Sequence, residues 1–371
     1  MKLTNTITMK TKATFISLLF VVTLPLHSQI PNTKLNSLKV MTWNVWYGFS
    51  QFKESNGIFP VGHPFIANQT VVQKKATEFL ISQAPDVIAL QELKRFNSKK
   101  LATFASSYGH SYSIIFNRKT QQPTGLTSKY PIDFLEGNHA NYNGTDLAGT
   151  FAAKLRNNPI VFIVVHLRSN NKRNREIESR YVLELYQKYR DLDNHVILLG
   201  DFNSHTITDR KYLETHISKR LAYRIFKNKC NHELNNSNEP DSGMEACTTW
   251  DYGVMERYWK YNTDPIEDTT HKHANRITYE NSGFWGTFPT TSVKIFHDKS
   301  NLDEHGKPTT KHTQVEHLSR IDYILTNKSL ADLTRDAHII HGYINHDNTT
   351  VLIDEMSDHY PLVTTFSKIT K

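Results

Sequence analysis

The stretch Val196–His205, VILLGDFNSH, runs four apolar residues straight into Gly-Asp-Phe-Asn. Val196 to Leu199 reads as a strand buried on both faces. Gly200 then frees the backbone to bend or to approach a neighbour closely. Side chains alternate along an extended chain, so Asp201 and Asn203 are expected on one face, with Phe202 inside the protein. A carboxylate and a carboxamide at the carboxyl end of a strand suit a hard cation with its water, or a phosphate. The same pair also suits a turn in which both side chains serve nearby backbone groups. The rest of the chain has to decide between these readings.

Immediately before this strand, Arg173–Asp191 has the helical period, with apolar residues at Ile177, Tyr181, Val182, Leu185 and Tyr189. Further back, Leu38–Val45 reads as a strand, Thr70–Gln83 as a helix ended by Ala84-Pro85, and Asp86–Leu90 as a second strand. Tyr112–Phe116, Gly149–Leu155 and Ile160–His166 are also strand-like, and order returns at Ile321–Leu325 and Tyr360–Phe366. Between them, residues 206–318 are rich in Asn, Thr, His and charge and show weak periodicity. No repeat or linker splits the chain, so one mixed α/β domain with a long insertion is the economical reading.

The chain has 371 residues, of which 38% are hydrophobic and 11% aromatic, enough for a sizeable core. Its amino terminus reads as a separate module. Lys2, Lys10 and Lys12 precede the apolar run Phe15–Leu26, and Leu-His-Ser before Gln29 offers a cleavage site. Residues 1–28 are therefore expected to be a secretory signal, starting at Met1 or at Met9, and residues 29–371 the exported domain. The product is expected to be secreted or periplasmic. Removing the signal lowers the formal charge by three, from +8 to +5, which is compatible with a polyanionic substrate. In an oxidising compartment Cys230 and Cys247 can pair across a short loop, or remain two thiols.

Several strands end in polar residues of one chemical kind. Asn44 closes the first, Glu92 follows the second, His166 closes the fifth, and Asp201 with Asn203 closes the sixth. Asp322 lies in SRIDYIL, and Asp358-His359 in SDHYPLV before the last strand. Six such ends, all Asn, Glu, Asp or His, exceed what solvated loops supply by chance. The chemistry that uses this set is metal-assisted attack of water on a phosphate ester. Carboxylates and amide oxygens hold Mg²⁺ without completing its shell. Histidines move a proton or donate to charge developing on phosphorus, and an acid beside a histidine fixes its tautomer.

The ordered set TWNVW, LQEL, VVHLRS, LLGDFNS, RIDYIL and SDHYPLV resembles the endonuclease/exonuclease/phosphatase superfamily, from about Leu38 through Phe366 with the insertion excepted. Each motif alone is weak; six in order are specific. The resemblance implies a deoxyribonuclease I-like fold, a two-sheet, four-layered α/β sandwich. It implies Glu92 as principal ligand for Mg²⁺ or Mn²⁺, helped by Asn44 and Asp358. Asp201 would position or deprotonate the attacking water, with Asn203 holding that water or a phosphate oxygen. His359 would face the phosphate, oriented by Asp322, and His166 would approach from the other half of the site.

GDFNSH and RIDYI differ from the inositol-phosphate phosphatase pattern, and a histidine at 166 differs from the abasic-site endonucleases. The chain is therefore closer to the deoxyribonuclease and sphingomyelinase branches. Thr248–Asp251 resembles a Thr-Trp-Asp element of the family but stands 71 positions before Asp322, so either a long loop intervenes or Gly286–Thr290 takes that place. In the insertion, Phe284 and Trp285 stand between two glycines, as a substrate-facing tip or as the insertion's own core. The histidines at 271, 273, 305, 312 and 317 match no familiar ligand spacing. The expected product is a monomeric, secreted, metal-dependent phosphodiesterase acting on nucleic acid, with no protein partner inferred. A sphingomyelinase-type enzyme acting on membrane lipid, a phosphomonoesterase and a catalytically silent binding module are the alternatives.

Overall fold

The computed structural model describes residues 35–49, 69–116, 122–137, 142, 149–168, 172–204, 288–289, 318–319, 321–340, 342–353, 356–357 and 359–369. The expected signal, Asp358, the Cys230 and Cys247 pair, Thr248–Asp251, Phe284, Trp285 and the insertion histidines lie outside the described residues.

Strand β1 (Leu35–Asn44) shows how the layers arise. Its even-numbered residues Leu38 and Val40 face one buried cluster, and its odd-numbered residues Met41 and Trp43 face another. A strand that buries both faces needs a covering layer on each side. One cover is the helix α1 (Gln69–Gln83) together with α2 (Ser98–Ser107), which pack Phe79, Leu80, Leu101 and Phe104 against the outer face. The other is a second sheet.

The first sheet contains β2 (Val87–Gln91), β3 (Tyr112–Phe116), β4 (Thr124–Ser128), β10 (Thr334–Ile339) and β11 (Leu362–Ile369), in the order β10-β11-β1-β2-β4-β3. The second contains β5 (Ile132–Gly137), β6 (Phe151–Leu155), β7 (Ile160–His166), β8 (His195–Asp201) and β9 (Asp322–Thr326), in the order β9-β8-β7-β6-β5. Val40, Val87 and Ala89 meet Phe162, Val164, Ile197 and Leu199 in the seam between the sheets. On the outer face of the second sheet lies α3 (Lys172–Arg190), whose Tyr181, Val182, Leu185 and Tyr189 pack on Ile163, Val165 and Leu198. The result is helix, sheet, sheet, helix: the expected four-layered sandwich.

Two parallel pairs form the centre, β1 with β2 and β7 with β8; the remaining pairs of these sheets are antiparallel. Gly200 belongs to the second pair. A Cβ built there would stand 1.8 Å from the carbonyl oxygen of Val165, so β8 approaches β7 as only glycine permits. The close neighbour anticipated for this glycine is therefore the adjacent strand.

Beyond β1, Trp46–Phe49 forms one turn of left-handed helix. Trp46, Tyr47, Gly48 and Phe49 have φ of 39°, 50°, 69° and 58°, and Phe49 N–H donates to Val45 O at 2.8 Å. For L-residues other than glycine this conformation costs about 1–2 kcal/mol each. Three such residues within four positions, Trp46, Tyr47 and Phe49, are a local strain that the surrounding packing must hold in place.

Candidate active site

The parity of the strands delivers most of the site. Counting by twos from the seam residues Val164, Leu199 and Ile324 gives His166, Asp201 and Asp322; counting from Leu38 and Val40 gives Asn44. These four therefore collect where the seam between the sheets opens. Register agrees, because His166 stands opposite Asp201, and Asp201 opposite Asp322.

Glu92 arrives by another route. Parity from Val87 and Ala89 places Gln91 in the seam, where its Oε1 accepts from Thr42 Oγ1 at 3.3 Å. Glu92 follows with φ of 59°, and this left-handed residue swings its carboxylate to the site. Its Oε2 accepts Tyr47 N–H at 3.1 Å and its Oε1 accepts from Asn44 Nδ2 at 3.2 Å.

Asn44 is the hub. Its Nδ2 also donates to Asp201 Oδ2 at 3.1 Å, while its Oδ1 accepts Trp46 N–H at 3.0 Å. The peptide N–H needs an acceptor and the carboxylates need a donor, so the amide orientation is fixed by its partners. The Oδ1 oxygen keeps a second lone pair.

His166 Nε2 lies 3.9 Å from Glu92 Oε1 and 3.9 Å from Asp201 Oδ2. His359 Nε2 is likewise 3.9 Å from Asp201 Oδ2, and its Nδ1 lies 2.8 Å from Asp322 Oδ2. With Nδ1 held by a carboxylate, Nε2 is the atom turned toward the site. Asp201 Oδ1 accepts Asn203 N–H at 2.8 Å, and Asn203, at φ 47°, donates Nδ2 to Leu167 O at 2.8 Å. The simple alternation expected through Asn203 is thus broken, because the chain leaves the strand at Asp201 and turns. Phe202 is fully buried against Tyr323, as expected.

Other residues serve the site without having been singled out in the sequence. Ser357 Oγ donates to Asn44 O at 2.6 Å and accepts His359 N–H at 3.2 Å, and Trp43 Nε1 donates to His359 O at 3.0 Å. The signal for Ser357 was its position two residues before His359, where a hydroxyl caps a turn. On α3, buried Glu178 accepts Arg168 N–H at 2.8 Å and Arg168 Nε at 3.2 Å, and Arg175 Nη1 donates to Arg168 O at 2.9 Å. These clamp the loop after His166. A charge at 178, in line with Val182, Leu185 and Tyr189 on the apolar stripe, was the legible clue.

Glu92, Asp201 and Asp322 put three carboxylates into a largely buried site, with two histidines within 4 Å of them. That donor set fits a cation. Asp201, Asp322 and His359 offer ligand atoms within 4.8 Å of one another, a group able to hold a metal. Two of these three are already bonded to each other, which is the geometry of a proton-handling pair. The oxygens of Glu92 and Asn44 suit a hard cation better.

The sequence profile of the endonuclease/exonuclease/phosphatase family matches residues 41–359. No curated protein matches the chain. Among solved structures, the 3′ phosphatase NExo from Neisseria bound to product DNA hairpin is 15% identical, with 89% of this chain and 99% of that one covered at a TM-score of 0.50. An AP endonuclease from Archaeoglobus fulgidus is 16% identical, with 89% of this chain and 99% of that one covered at a TM-score of 0.47. The first of these likenesses shows a shared fold.

Proposed function

The chain belongs to the endonuclease/exonuclease/phosphatase family, and from that premise we propose that this phosphoesterase hydrolyses phosphodiester bonds with a divalent metal, as an exported nuclease. One observation carries the reading. Asn44, Glu92, His166, Asp201, Asp322 and His359, from two sheets and six separate chain segments, converge on one end of the seam. The signal expected at the amino terminus and the net positive charge of the remainder favour environmental nucleic acid as substrate.

In this reading Glu92 and Asn44 would hold Mg²⁺ or Mn²⁺, with Asp358 assisting. The bound cation supplies charge stabilisation to the phosphoryl oxygens. Asp201 takes a proton from the attacking water, and Asn44 Nδ2 holds that carboxylate in place. Asn203, locked by Leu167 O, leaves its amide oxygen to orient the water or accept from the substrate side. His359 donates from Nε2 to the developing charge while Asp322 keeps Nδ1 protonated. His166, between Glu92 and Asp201, donates from the opposite side.

Purified protein, with Mg²⁺ and with excess chelator, is to be assayed on single- and double-stranded DNA, RNA, sphingomyelin, a small phosphodiester and a phosphomonoester. Metal-dependent cleavage of nucleic acid is the expected result. Full turnover in chelator would remove the metal, and cleavage of sphingomyelin alone would replace the substrate.

A further inference from the structure

We propose that Tyr47 and Lys94 form a subsite for a second phosphate of the substrate strand, one that is bound and not cleaved; this rests on the nuclease reading above. Lys94 Nζ stands 4.7 Å from the centroid of the Tyr47 ring. Glu92 is only two residues away, yet among the described residues Lys94 makes no ion pair. Its charge rests on an aromatic face, where it keeps its attraction for an external anion.

The pair is held by backbone. Tyr47 sits in the strained left-handed turn, and its N–H is fixed on Glu92 Oε2 at 3.1 Å. A Cβ at Gly48 would come within 2.4 Å of Lys94 O and 3.2 Å of the Phe96 ring, so the turn is seated directly on residues 94–96. Ring and ammonium are thus brought together by the packing of two main-chain segments. Strain retained beside a reacting centre points to function, and a bulky ring is a poor occupant of such a position unless the ring is used.

Placement decides which phosphate is met. Glu92 Oε1 faces Asn44, His166 and Asp201, where water is activated, while Oε2 faces Tyr47. Tyr47 and Lys94 therefore begin from the far edge of Glu92, and a phosphate bound there is a neighbour of the one attacked. Only a substrate with more than one phosphate reaches both, which is the property of a polynucleotide.

The test is binding of a labelled single-stranded oligonucleotide in chelator, across a range of salt, with kinetics in Mg²⁺ alongside. Lys94→Gln is expected to lower the slope of log K against log salt by about 0.7, the loss of one phosphate contact. It is also expected to raise KM for the oligonucleotide several-fold more than for a small phosphodiester. Lys94→Arg is expected to restore the slope. Tyr47→Leu should weaken binding and Tyr47→Phe should retain it. If the parent protein binds and cleaves the oligonucleotide but Lys94→Gln keeps its slope, the subsite is wrong and the nuclease reading stands. A fall in kcat with KM unchanged would also overturn it, placing Lys94 on the reacting phosphate. If the parent protein neither binds nor cleaves the oligonucleotide, the nuclease reading fails and takes the subsite with it.

Discussion

The two central parallel pairs, β1 with β2 and β7 with β8, each bring two polar residues to the same end of the seam, but they do so differently. In the second pair, His166 and Asp201 stand opposite one another in register and follow strand parity. Within these strands the positive φ falls on a glycine, Gly200 at 145°, and the left-handed Asn203, at 47°, comes only after Asp201 has been placed. In the first pair, register matches Asn44 with Gln91, and Gln91 is turned to a structural bond with Thr42. The acid needed is one residue later, and Glu92, Trp46, Tyr47 and Phe49 all take left-handed backbone to deliver and hold it. Regular extension suffices where parity already points at the site. Where parity points elsewhere, strain is the means of correction.

If both pairs serve one site, Asp201→Asn and Glu92→Gln should each abolish turnover, with losses of about 10²–10⁴-fold for Asp201 if it takes the proton as proposed. Neither change alters volume, so unfolding temperature should move little. A variant of one pair that retains full activity would show that the two pairs do not share one site.

A smaller loss is expected from the pair that joins the sheets, Asp322 of the second and His359 at the entry to the last strand of the first. His359→Ala and Asp322→Ala should act on the same step, because Asp322 works through His359 Nδ1 at 2.8 Å. The double variant is then hardly worse than the worse single one. Multiplicative losses in kcat would mean that the two residues act independently.

This contrast also explains what the sequence disclosed. The strand carrying VILLGD, its partner Ile160–His166 and the helix between them were legible because long apolar runs and a clean helical stripe mark them. Asp201, His166 and Asp322 then follow by alternation. β4 was missed because Thr124–Ser128, TGLTS, buries Thr, Gly and Ser in a central strand; that composition reads as a turn. β5 carries a bulge between Phe134 and Glu136 that breaks its period. α2 was legible in principle, with Asn97 capping Lys100 N–H and Leu101, Phe104 and Ala105 on one face, but it spans only ten residues. Glu92 stood out as the acid that follows the second strand, but its role as principal ligand came from motif resemblance alone. Nothing in the residue pattern states that a glutamate will adopt left-handed φ, and the same holds for Tyr47.

Each pair also has a glycine whose replacement tests how tightly it is built. Gly200→Ala puts a methyl 1.8 Å from Val165 O in the neighbouring strand, and Gly48→Ala puts one 2.4 Å from Lys94 O in a loop. Both positions have positive φ, so strain adds to collision. Overpacking of this kind costs about 1–3 kcal/mol, and the strand, with both partners in a sheet, should reach or exceed the top of that range. The loop should give way and lose less. Urea unfolding of the two variants checks the order, and the reverse order would mean that the left-handed turn is the more rigid support.

The smallest effect concerns acid, and it also separates the two sheets. In the first, buried His110 has Nε2 2.8 Å from Pro85 O and Nδ1 2.8 Å from Thr127 Oγ1, and Tyr108 OH lies 2.9 Å from the same hydroxyl. A carbonyl only accepts, so Nε2 carries the proton, Thr127 donates to Nδ1 and Tyr108 donates to Thr127. Protonating Nδ1 would reverse that chain and place a charge in a dry site. Burial accordingly lowers the His110 pKa below its ordinary value of 6.5, against opposing pulls from the Pro85 carbonyl and Asp86. In the second sheet, half-buried His195 at the start of β8 is lowered by burial alone. A histidine whose folded pKa is depressed binds its proton more readily when unfolded. Its contribution to stability is therefore intact above pH 6.5 and is lost as pH falls from there through the folded value. His110→Gln is expected to flatten the decline in unfolding temperature between about pH 7 and pH 5. His195→Gln should flatten it less, because solvent reaches that ring. An unaltered acid profile in His110→Gln would show that the first sheet's buried histidine does not set the acid limit of the fold.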